Sequence, residues 1–182
     1  SDTARKEKLP NCFGNLIHLE TLYLSENAIS GTLPDSLYNM TKLTILDISS
    51  NLLTGTISPR IGSLNSLVTL HVDQNSLCGT IPTTIGELIH LQSLDLSYCS
   101  FFTGTLPIEI GNLHALEYFT LSVNRLNGSI PASIGDCTAL TYLDVSYNEF
   151  HSGLPTSIGN LTNLTALYTL FSLISFSSFL DS

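Results

Sequence analysis

One phrase recurs along this chain, and its spacing constrains the fold more than any other feature of the sequence. Its copies begin at leucines that are 24, 24, 24, 25, 24 and 24 residues apart, namely Leu19, Leu43, Leu67, Leu91, Leu116, Leu140 and Leu164. Self-similarity at such a period predicts a solenoid. A single turn of this length cannot bury its own leucines, so each turn must stack on its neighbours.

The first half of one turn, beginning at Leu67, has the pattern of a short strand. Leu70 and Val72 flank the polar His71, and this alternation favours a strand with one buried face. Stacked strands of this kind form a parallel sheet with about 4.8 Å between neighbours. Six of them predict a concave strip roughly 25–30 Å long.

The second half of the same turn, up to Leu88, is suited to changing direction. Asn75 fits a turn because its side chain bonds backbone groups there and, in a stack, those of neighbouring turns. Gly79 permits a bend that a larger side chain would obstruct. Pro82 lacks an amide donor, so regular sheet pairing cannot continue through it.

The complete phrase, L-x-x-L-x-L-x-x-N-x-L-x-G-x-I-P-x-x-I-G-x-L, resembles the plant-type leucine-rich repeat, and six full copies and two partial ones carry it. The resemblance implies an α/β solenoid, a right-handed superhelix with a parallel β-sheet on its concave face and short 3-10 or irregular segments on its convex side. We expect residues 1–8 to be a flexible N-terminal flank and residues 9–167 to be the repeat array. Residues 168–182 are a degenerate apolar C-terminal segment and a candidate cap.

Three interpretations remain open for residues 166–180, where the phrase fails and Leu or Phe recurs every third residue. A degenerate turn or short helix would cover the last open edge of the sheet. A broken or alternatively spliced end would explain the lack of a polar outer face. A membrane segment fits least, because the run is shorter than about 18 residues and contains several Ser and Thr residues.

Two turns depart from the phrase in ways that predict local adjustments. In the second full turn, Ser58-Pro59 stands where the phrase has Pro at position 58. The fourth turn has one extra residue after Cys99. We therefore expect a bulge after its strand, with one of Phe101 and Phe102 in the usual leucine position and the other exposed.

The positions of the four cysteines favour unpaired structural thiols over disulfide bridges. Cys99 takes the position that asparagine holds in the other turns, and Cys137 lies on the inward face of the repeat. Cys12 and Cys78 belong to different and distant turns, where bridge geometry is hard to meet.

The charge balance disfavours several classes of partner, and no motif indicates an enzyme. The formal net charge is −9 with only 6 Lys and Arg residues, which argues against nucleic acid and anionic membranes and favours basic or uncharged partners. The sequence contains no G-x-S-x-G, no H-E-x-x-H and no phosphate-binding glycine loop, so we expect neither catalysis nor a cofactor. Asp47, His71 and Asp95 lie on adjacent rungs, but the phrase itself supplies such aspartates, and we expect no metal site.

Outward strand positions predict a ligand-binding surface on the concave face. The residues between the two inner apolar positions form one column: Tyr23, Asp47, His71, Asp95, Thr120 and Asp144. Four tyrosines and Val123 are assigned to outward strand positions of turns four to six. Tyrosine combines apolar area with a hydroxyl at low entropic cost, although it also simply suits exposed strands. The predicted binding residues are Tyr23, His71, Asp73, Tyr98, Glu117, Tyr118, Tyr142 and Tyr147.

The resemblance implies a recognition function. The repeats are similar to the extracellular arrays of plant receptor-like kinases, receptor-like proteins and polygalacturonase inhibitors, which bind peptides, enzymes or co-receptors. We therefore expect a protein- or peptide-binding module that is extracellular or at the cell surface. Any membrane association would come through segments outside this sequence. Four glycosylation acceptor sequences favour the same context, at Asn39, Asn127, Asn160 and Asn163.

A structural or surface-adsorbing protein, for example an ice-binding one, is the alternative. A hydroxyl residue follows a glycine in successive turns and supplies a regular row outside the concave strip: Thr32, Thr56, Thr80, Thr105 and Ser129. Adsorption favours flat and uniform faces, whereas the concave positions of this chain vary from turn to turn.

Overall fold

Seven short parallel strands form the concave sheet in the computed structural model, which describes residues 7–170. They lie side by side in sequence order, and each pairs with the strand one turn along the chain. The arrangement confirms the predicted leucine-rich-repeat solenoid. The strands are β1 (Thr21–Tyr23), β3 (Ile45–Asp47), β5 (Thr69–His71), β7 (Ser93–Asp95), β9 (Tyr118–Thr120), β11 (Tyr142–Asp144) and β13 (Ala166–Tyr168).

A second parallel sheet, which the sequence analysis did not predict, follows the asparagine position of the turns. Each of its strands has at most one buried residue, such as Leu77 in β6, so the sequence shows no two-residue alternation of buried and exposed side chains there. Within the described residues the sheet consists, in order, of β2 (Ser30–Gly31), β4 (Leu52–Thr56), β6 (Ser76–Gly79), β8 (Phe101–Thr105), β10 (Arg125–Gly128) and β12 (Glu149–Phe150).

Short 3-10 helices occupy the convex side, as expected. Most begin directly after a proline. The fixed φ of proline suits the residue before a helix, and proline has no backbone N–H that would need an acceptor there. No helix in residues 7–170 is long and apolar enough to cross a membrane. The 3-10 helices are Asn11–Asn15, Asp35–Asn39, Pro59–Ser63, Thr83–Glu87, Ile108–Asn112, Ala132–Asp136 and Thr156–Asn160.

One continuous apolar core runs between the two sheets and the 3-10 helices. In the third turn Leu70, Leu77, Ile85 and Leu88 are buried, and full burial of such a side chain contributes roughly 1.5–3 kcal/mol. Leu167 holds the equivalent core position of β13 but is 39% exposed, because no further turn covers it within the described residues. The core therefore depends on stacking and not on any single turn.

Buried asparagines join each turn to the one before it. The Asn75 Nδ2 donates to the carbonyl of Ile48 (2.9 Å), and the Asn75 Oδ1 accepts from the amide of Leu53 (2.9 Å). Asn51 and Asn148 make equivalent pairs of bonds. Since these groups are shielded from water, each bond is costly to break. The predicted role of this position between turns is confirmed.

The fourth turn interrupts this asparagine ladder. The Cys99 Sγ donates only to the carbonyl of Val72, at 3.5 Å. One turn further on, the Asn124 Oδ1 is buried with no hydrogen-bond partner among the described residues. The expected bulge is confirmed, because Phe102 fills the leucine position inside the core while Phe101 is 46% exposed.

All four cysteines are free thiols, two of them exposed or partly buried and two inside the core. The Cys137 Sγ donates to the carbonyl of Ile110 at 3.2 Å. Burial raises the pKa of both Cys99 and Cys137 to about 12, so these thiols remain protonated and unreactive.

Two departures from the phrase compensate each other on the convex side. At Gly111 a Cβ would lie 2.6 Å from the carbonyl oxygen of Ser133 in the next 3-10 helix, so this position normally needs glycine. In the first full turn Tyr38 stands there instead and is buried. Its hydroxyl accepts from the amide of Ser58 (3.2 Å), a donor that the usual proline lacks. The Arg60 guanidinium lies 5.9 Å from the Tyr38 ring centroid and completes the adjustment.

The last two residues of the predicted N-terminal flank, Glu7 and Lys8, pair with the second sheet. The Glu7 carbonyl accepts from the amide of Ser30 (2.7 Å), and Lys8 forms a bridge with Ser30, so both residues extend the second sheet. Residues 1–6 lie outside the described residues. Residues 171–180, most of the segment for which three interpretations were open, also lie outside the described residues. Residues 166–168 of that segment form β13.

We predict that Asn75→Ala destabilises the fold by about 3 kcal/mol, because it removes several bonds and leaves the Leu53 amide buried without an acceptor. Urea unfolding followed by circular dichroism measures the change. Asn27→Ala is the matched control, since the exposed Asn27 bonds only carbonyls of its own turn and its loss should cost under about 1 kcal/mol. Equal losses in the two variants would contradict the role of bonds between turns.

Candidate functional site

The register of the concave sheet places outward residues in straight columns. Neighbouring strands pair residue by residue, so one column consists, as predicted, of Tyr23, Asp47, His71, Asp95, Thr120 and Asp144. Tyr168 is the seventh member, because it pairs with Asp144. Tyr168 was not among the predicted members of the column, although it stands four residues after Leu164, as Tyr23 stands four residues after Leu19.

Three tyrosine rings, which we call the tyrosine row, cross the strands β9, β11 and β13. The ring centroids of Tyr118 and Tyr142 are 4.7 Å apart with 17° between their planes, so these rings are stacked. The rings of Tyr142 and Tyr168 are 5.5 Å apart and tilted by 42°. Two of the three, Tyr118 and Tyr142, belong to the predicted binding set. The row forms a partly exposed aromatic surface on the concave sheet.

Short polar side chains lie beneath the larger ones on this face. Thr120 is only 3% exposed despite its outward position, and its Oγ1 lies 3.2 Å from the Ser122 Oγ. The Asp95 Oδ1 accepts from the amide (2.9 Å) and hydroxyl (2.6 Å) of Ser97. Asp144 is held in the same way by its own turn. These bonds orient the carboxylates on the strip before any ligand arrives.

The carboxylates act on the tyrosine hydroxyls. Burial, followed by the negative charge of Asp95, raises the pKa of Tyr118 to about 12, and Asp73 and Asp144 are lesser causes of the same shift. Burial, followed by the charge of Asp144, also raises the pKa of Tyr142. Both hydroxyls therefore stay protonated near neutral pH and can donate hydrogen bonds to a ligand.

Asp73 has the most perturbed carboxyl on this face. Burial and, after it, the charge of Asp95 raise the pKa of Asp73 to about 6. The Gln74 Nε2 donates to the Asp73 Oδ2 at 3.3 Å, a long bond that offsets little of this. Nearby, the His71 Nε2 lies 2.8 Å from the Ser93 Oγ, which fixes the imidazole of another predicted binding residue.

The prediction that Tyr98, Tyr147 and Val123 occupy outward strand positions is wrong. Each stands directly before the asparagine position, in the turn that links a concave strand to the second sheet. Their φ angles of 52°, 52° and 57° are left-handed, which no strand residue adopts. Tyr98 and Tyr147 are nevertheless exposed, by 58% and 44%. They lie at the border of the concave sheet and not on it.

The remaining predicted residues are accessible but lie apart from one another. Tyr23 is 62% exposed on β1, four strands from the first ring of the tyrosine row. Glu117 is exposed directly before β9. The glycosylation acceptors are all exposed and all lie outside the concave strands: Asn39, Asn127, Asn160 and Asn163.

Negative charge dominates the concave face. Seven acidic residues lie on its strands or within three residues of them: Glu20, Glu26, Asp47, Asp73, Asp95, Glu117 and Asp144. The Lys and Arg residues of the described part, none of which is on a concave strand, are Lys8, Lys42, Arg60 and Arg125. Within residues 7–170 no group of three or more His, Cys, Asp and Glu side chains is arranged to hold a metal ion. The strip thus presents a negative potential to its partners.

A solenoid with this repeat and this columned sheet is a recognition scaffold of the leucine-rich-repeat class. The family model described as "Leucine-rich repeat region" matches residues 72–180, and the model "Leucine rich repeat" matches residues 10–53. The chain belongs to the leucine-rich-repeat family, in its plant type. A search of curated proteins finds no match.

Solved structures of plant receptors are similar to this chain. The ectodomain of the receptor kinase GASSHO1/SCHENGEN3 from Arabidopsis thaliana, in complex with CASPARIAN STRIP INTEGRITY FACTOR 2, is 36% identical with a TM-score of 0.85, over 90% of this chain and 20% of that one. The Arabidopsis receptor kinase HAESA, in complex with the peptide hormone IDA and the co-receptor SERK1, is 33% identical with a TM-score of 0.86, over 91% and 28%. The chain therefore spans less than a third of either receptor structure.

A plant ice-binding protein is also similar in structure. It is 26% identical with a TM-score of 0.82, and the match covers 93% of this chain and 55% of that one. The same solenoid thus supports two different classes of surface, and the fold by itself does not choose between them.

We predict that Asp73→Asn removes part of the pH dependence of stability. The raised pKa of Asp73, about 6 against 3.8, means that the native state binds a proton more tightly than the unfolded chain. The ionised Asp73 carboxylate therefore lowers the free energy of unfolding. This effect is absent below about pH 4 and fully present above about pH 6, so the stability of the wild type should fall across this window. Since solvent screens this partly exposed group, the gain of Asp73→Asn at pH 7 should be about 1 kcal/mol or less.

Urea unfolding at intervals from pH 4 to pH 7 measures this difference. Glu149→Gln is the matched control, because Glu149 is exposed on β12 in the second sheet. Its stability curve should run parallel to that of the wild type. A parallel curve for Asp73→Asn as well would show that Asp73 titrates normally.

Proposed function

We propose that this chain is a protein- or peptide-binding module, a receptor-like or inhibitor-like recognition domain that uses its concave sheet. The observation that carries the proposal is the tyrosine row, in which three aromatic side chains on adjacent strands stand beside carboxylates held by their own turns. Rigid aromatic side chains with a polar tip are the residue types that most often anchor interfaces.

The similar structures support this proposal. Both Arabidopsis receptor ectodomains described above were solved with a bound peptide or factor, and one of them with a co-receptor as well. We extend the same kind of partner to this chain, together with an extracellular or cell-surface location, which the four exposed glycosylation acceptors favour. A recognition surface needs no reacting group, and we assign the chain no catalytic role.

The experiment is capture of proteins and peptides from plant extracellular fluid on the immobilised chain. We expect the Tyr118→Ala/Tyr142→Ala variant to lose at least about 90% of a partner that the wild type retains, because buried aromatic anchors dominate interface energies. Mass spectrometry identifies and quantifies what each chain retains. Circular dichroism confirms that the variant is folded.

Ile108→Ala is the matched control for this capture. Ile108 is a large apolar side chain, 68% exposed on the convex 3-10 helix Ile108–Asn112. Its removal tests for non-specific hydrophobic binding and leaves the concave sheet unchanged. Retention of the same partners by the wild type and the tyrosine variant would overturn the assignment of the site. Loss in the Ile108→Ala chain as well would point to non-specific adsorption.

A surface-adsorbing function is the second candidate, favoured by the similarity to the ice-binding protein. The hydroxyl row after the glycines is exposed, as such a function requires, at Thr32, Thr56, Thr80, Thr105 and Ser129. The row also has a purely structural explanation. The Cγ2 of Thr56 lies 2.8 Å from where a Cβ on Gly79 would be, so its methyl group packs against the next turn.

Inhibition of ice recrystallisation distinguishes this second candidate from the first. If the concave sheet is the functional surface, the wild-type chain and the Thr56→Asn/Thr80→Asn variant should both leave ice growth at the level of an inert protein control. Inhibition by the wild type that the variant loses would instead assign the function to the hydroxyl row.

A further inference from the structure

We propose that the segment recognised by this chain is cationic, and that a Lys or Arg side chain of the partner lies on the free face of Tyr118, above Ser93 and beside the carboxylates of Asp73 and Asp95. This inference rests on the proposed recognition function and specifies the chemistry of the partner. The seat it defines, which we call the cation seat, consists of Tyr118, Ser93, Asp73 and Asp95.

The stacking geometry leaves one face of Tyr118 open. The centroid distance of 4.7 Å between Tyr118 and Tyr142 matches the roughly 4.8 Å spacing of neighbouring strands, so the ring planes stand across the direction in which the strands are stacked. One face of Tyr118 is therefore covered by Tyr142 on β11. The opposite face is directed towards β7, where the residue paired with Tyr118 is the short Ser93.

Ser93 gives this space a fixed polar floor. Its hydroxyl lies 2.8 Å from the His71 Nε2, so its position is set by a neighbour on β5. No aromatic side chain extends from β7 at this level, although the His71 imidazole reaches Ser93 from β5 and borders the space. A planar guanidinium has the shape to stack there on the ring.

Two carboxylates border the seat, with His71 as their basic neighbour. Asp95 follows Ser93 by two residues on β7 and pairs with His71, and Asp73 follows His71 by two residues, so the strand register brings both carboxylates near Tyr118. In agreement with this placement, the charge of Asp95 raises the pKa of both Tyr118 and Asp73. No Lys or Arg of the described residues lies on a concave strand. Like charges held together in this way repel, and a cation bound between them would remove that repulsion.

The chain itself uses the proposed contact at two other places. The Arg60 guanidinium carbon lies 5.9 Å from the centroid of the Tyr38 ring, and that of Arg125 lies 5.8 Å from the Phe101 ring. Cation–aromatic contacts of this length are attractive, more so where water is excluded. At the seat, a carboxylate would add charge neutralisation to the same contact. Arg is favoured over Lys because its planar fork can stack and bond a carboxylate at once.

A selection from displayed random twelve-residue peptides tests the inference without knowledge of the natural partner. We expect the peptides enriched on the immobilised full chain to contain Arg or Lys well above the unselected library. The tightest binder is then synthesised twice, once with Arg and once with citrulline, which keeps the planar shape but has no charge. Fluorescence anisotropy should show about tenfold weaker binding of the citrulline peptide.

Variants of the chain locate the seat. Asp95→Asn keeps an Oδ1 that can accept from Ser97, so the fold should be retained while the charge is lost. We expect each of the variants Asp73→Asn and Asp95→Asn to bind the arginine peptide about fivefold more weakly than the wild type. Their affinity for the citrulline peptide should be nearly unchanged. Glu149→Gln makes the same charge change on the second sheet and should alter neither affinity.

The outcomes separate this inference from the function on which it rests. Enriched peptides without basic residues, whose binding is lost in the Tyr118→Ala/Tyr142→Ala variant, would overturn the cationic partner and leave the recognition function standing. Equal affinities of the arginine peptide for the wild type and for the Asp73→Asn and Asp95→Asn variants would overturn the assignment of the cation seat. If no peptide is enriched and no partner is captured from extracellular fluid, both proposals fail.

Discussion

Hydrogen bonding between turns is the constraint on which the rest of this structure depends. The strands pair only with strands about one repeat away, and the buried asparagines bond backbone groups of the preceding turn. A turn that moved out of register would leave its own amides and those of its neighbour unpaired. One departure from the phrase is accompanied by a second change that restores the bonds, whereas the fourth turn, with Cys99 at the asparagine position, leaves the Asn124 Oδ1 without a partner among the described residues. Tyr38 and Ser58 are the compensated pair, because the tyrosine that replaces a glycine bonds the amide that appears with the missing proline.

The same constraint builds the candidate site. Because the register is fixed, outward side chains on successive strands repeat at the strand spacing, which suits the stacking distance of aromatic rings. Tyr118 and Tyr142 stack at 4.7 Å for this reason, with no further support needed to align them. Apart from the contact between His71 and Ser93, the outward side chains of the column make no hydrogen bonds to another turn among the described residues, so these positions can vary without loss of the fold. In this class of protein, function depends on the residues at these variable positions and not on the repeated phrase.

Four features could be predicted from the sequence, because each follows from a residue type at a fixed place in the repeat. They are the repeat period, the concave strands, the convex 3-10 segments and the bulge at Phe101. The second sheet could not, since its strands bury too few residues to show a two-residue period. The assignment of Tyr98 and Tyr147 to strands failed because a residue before the asparagine adopts a left-handed φ, which alternation of polar and apolar residues does not reveal. Tyr168 was overlooked because the phrase fails just after its strand, although the strand still pairs.

The electrostatics of the concave face give a second reason, beside the tyrosine row, to propose it as a binding surface. Burial and the like charge of Asp95 both raise the pKa of Asp73, and the opposing charge of His71 offsets little of this, so the ionised carboxylate lowers the stability of the native state. Local features that oppose stability are the ones most often retained for function. The aspartates that follow the phrase, such as Asp95 and Asp144, are explained by the turn bonds that they accept. Asp73 stands where Ser97 stands one turn later, so the phrase does not account for it, and we attribute it to the proposed recognition function.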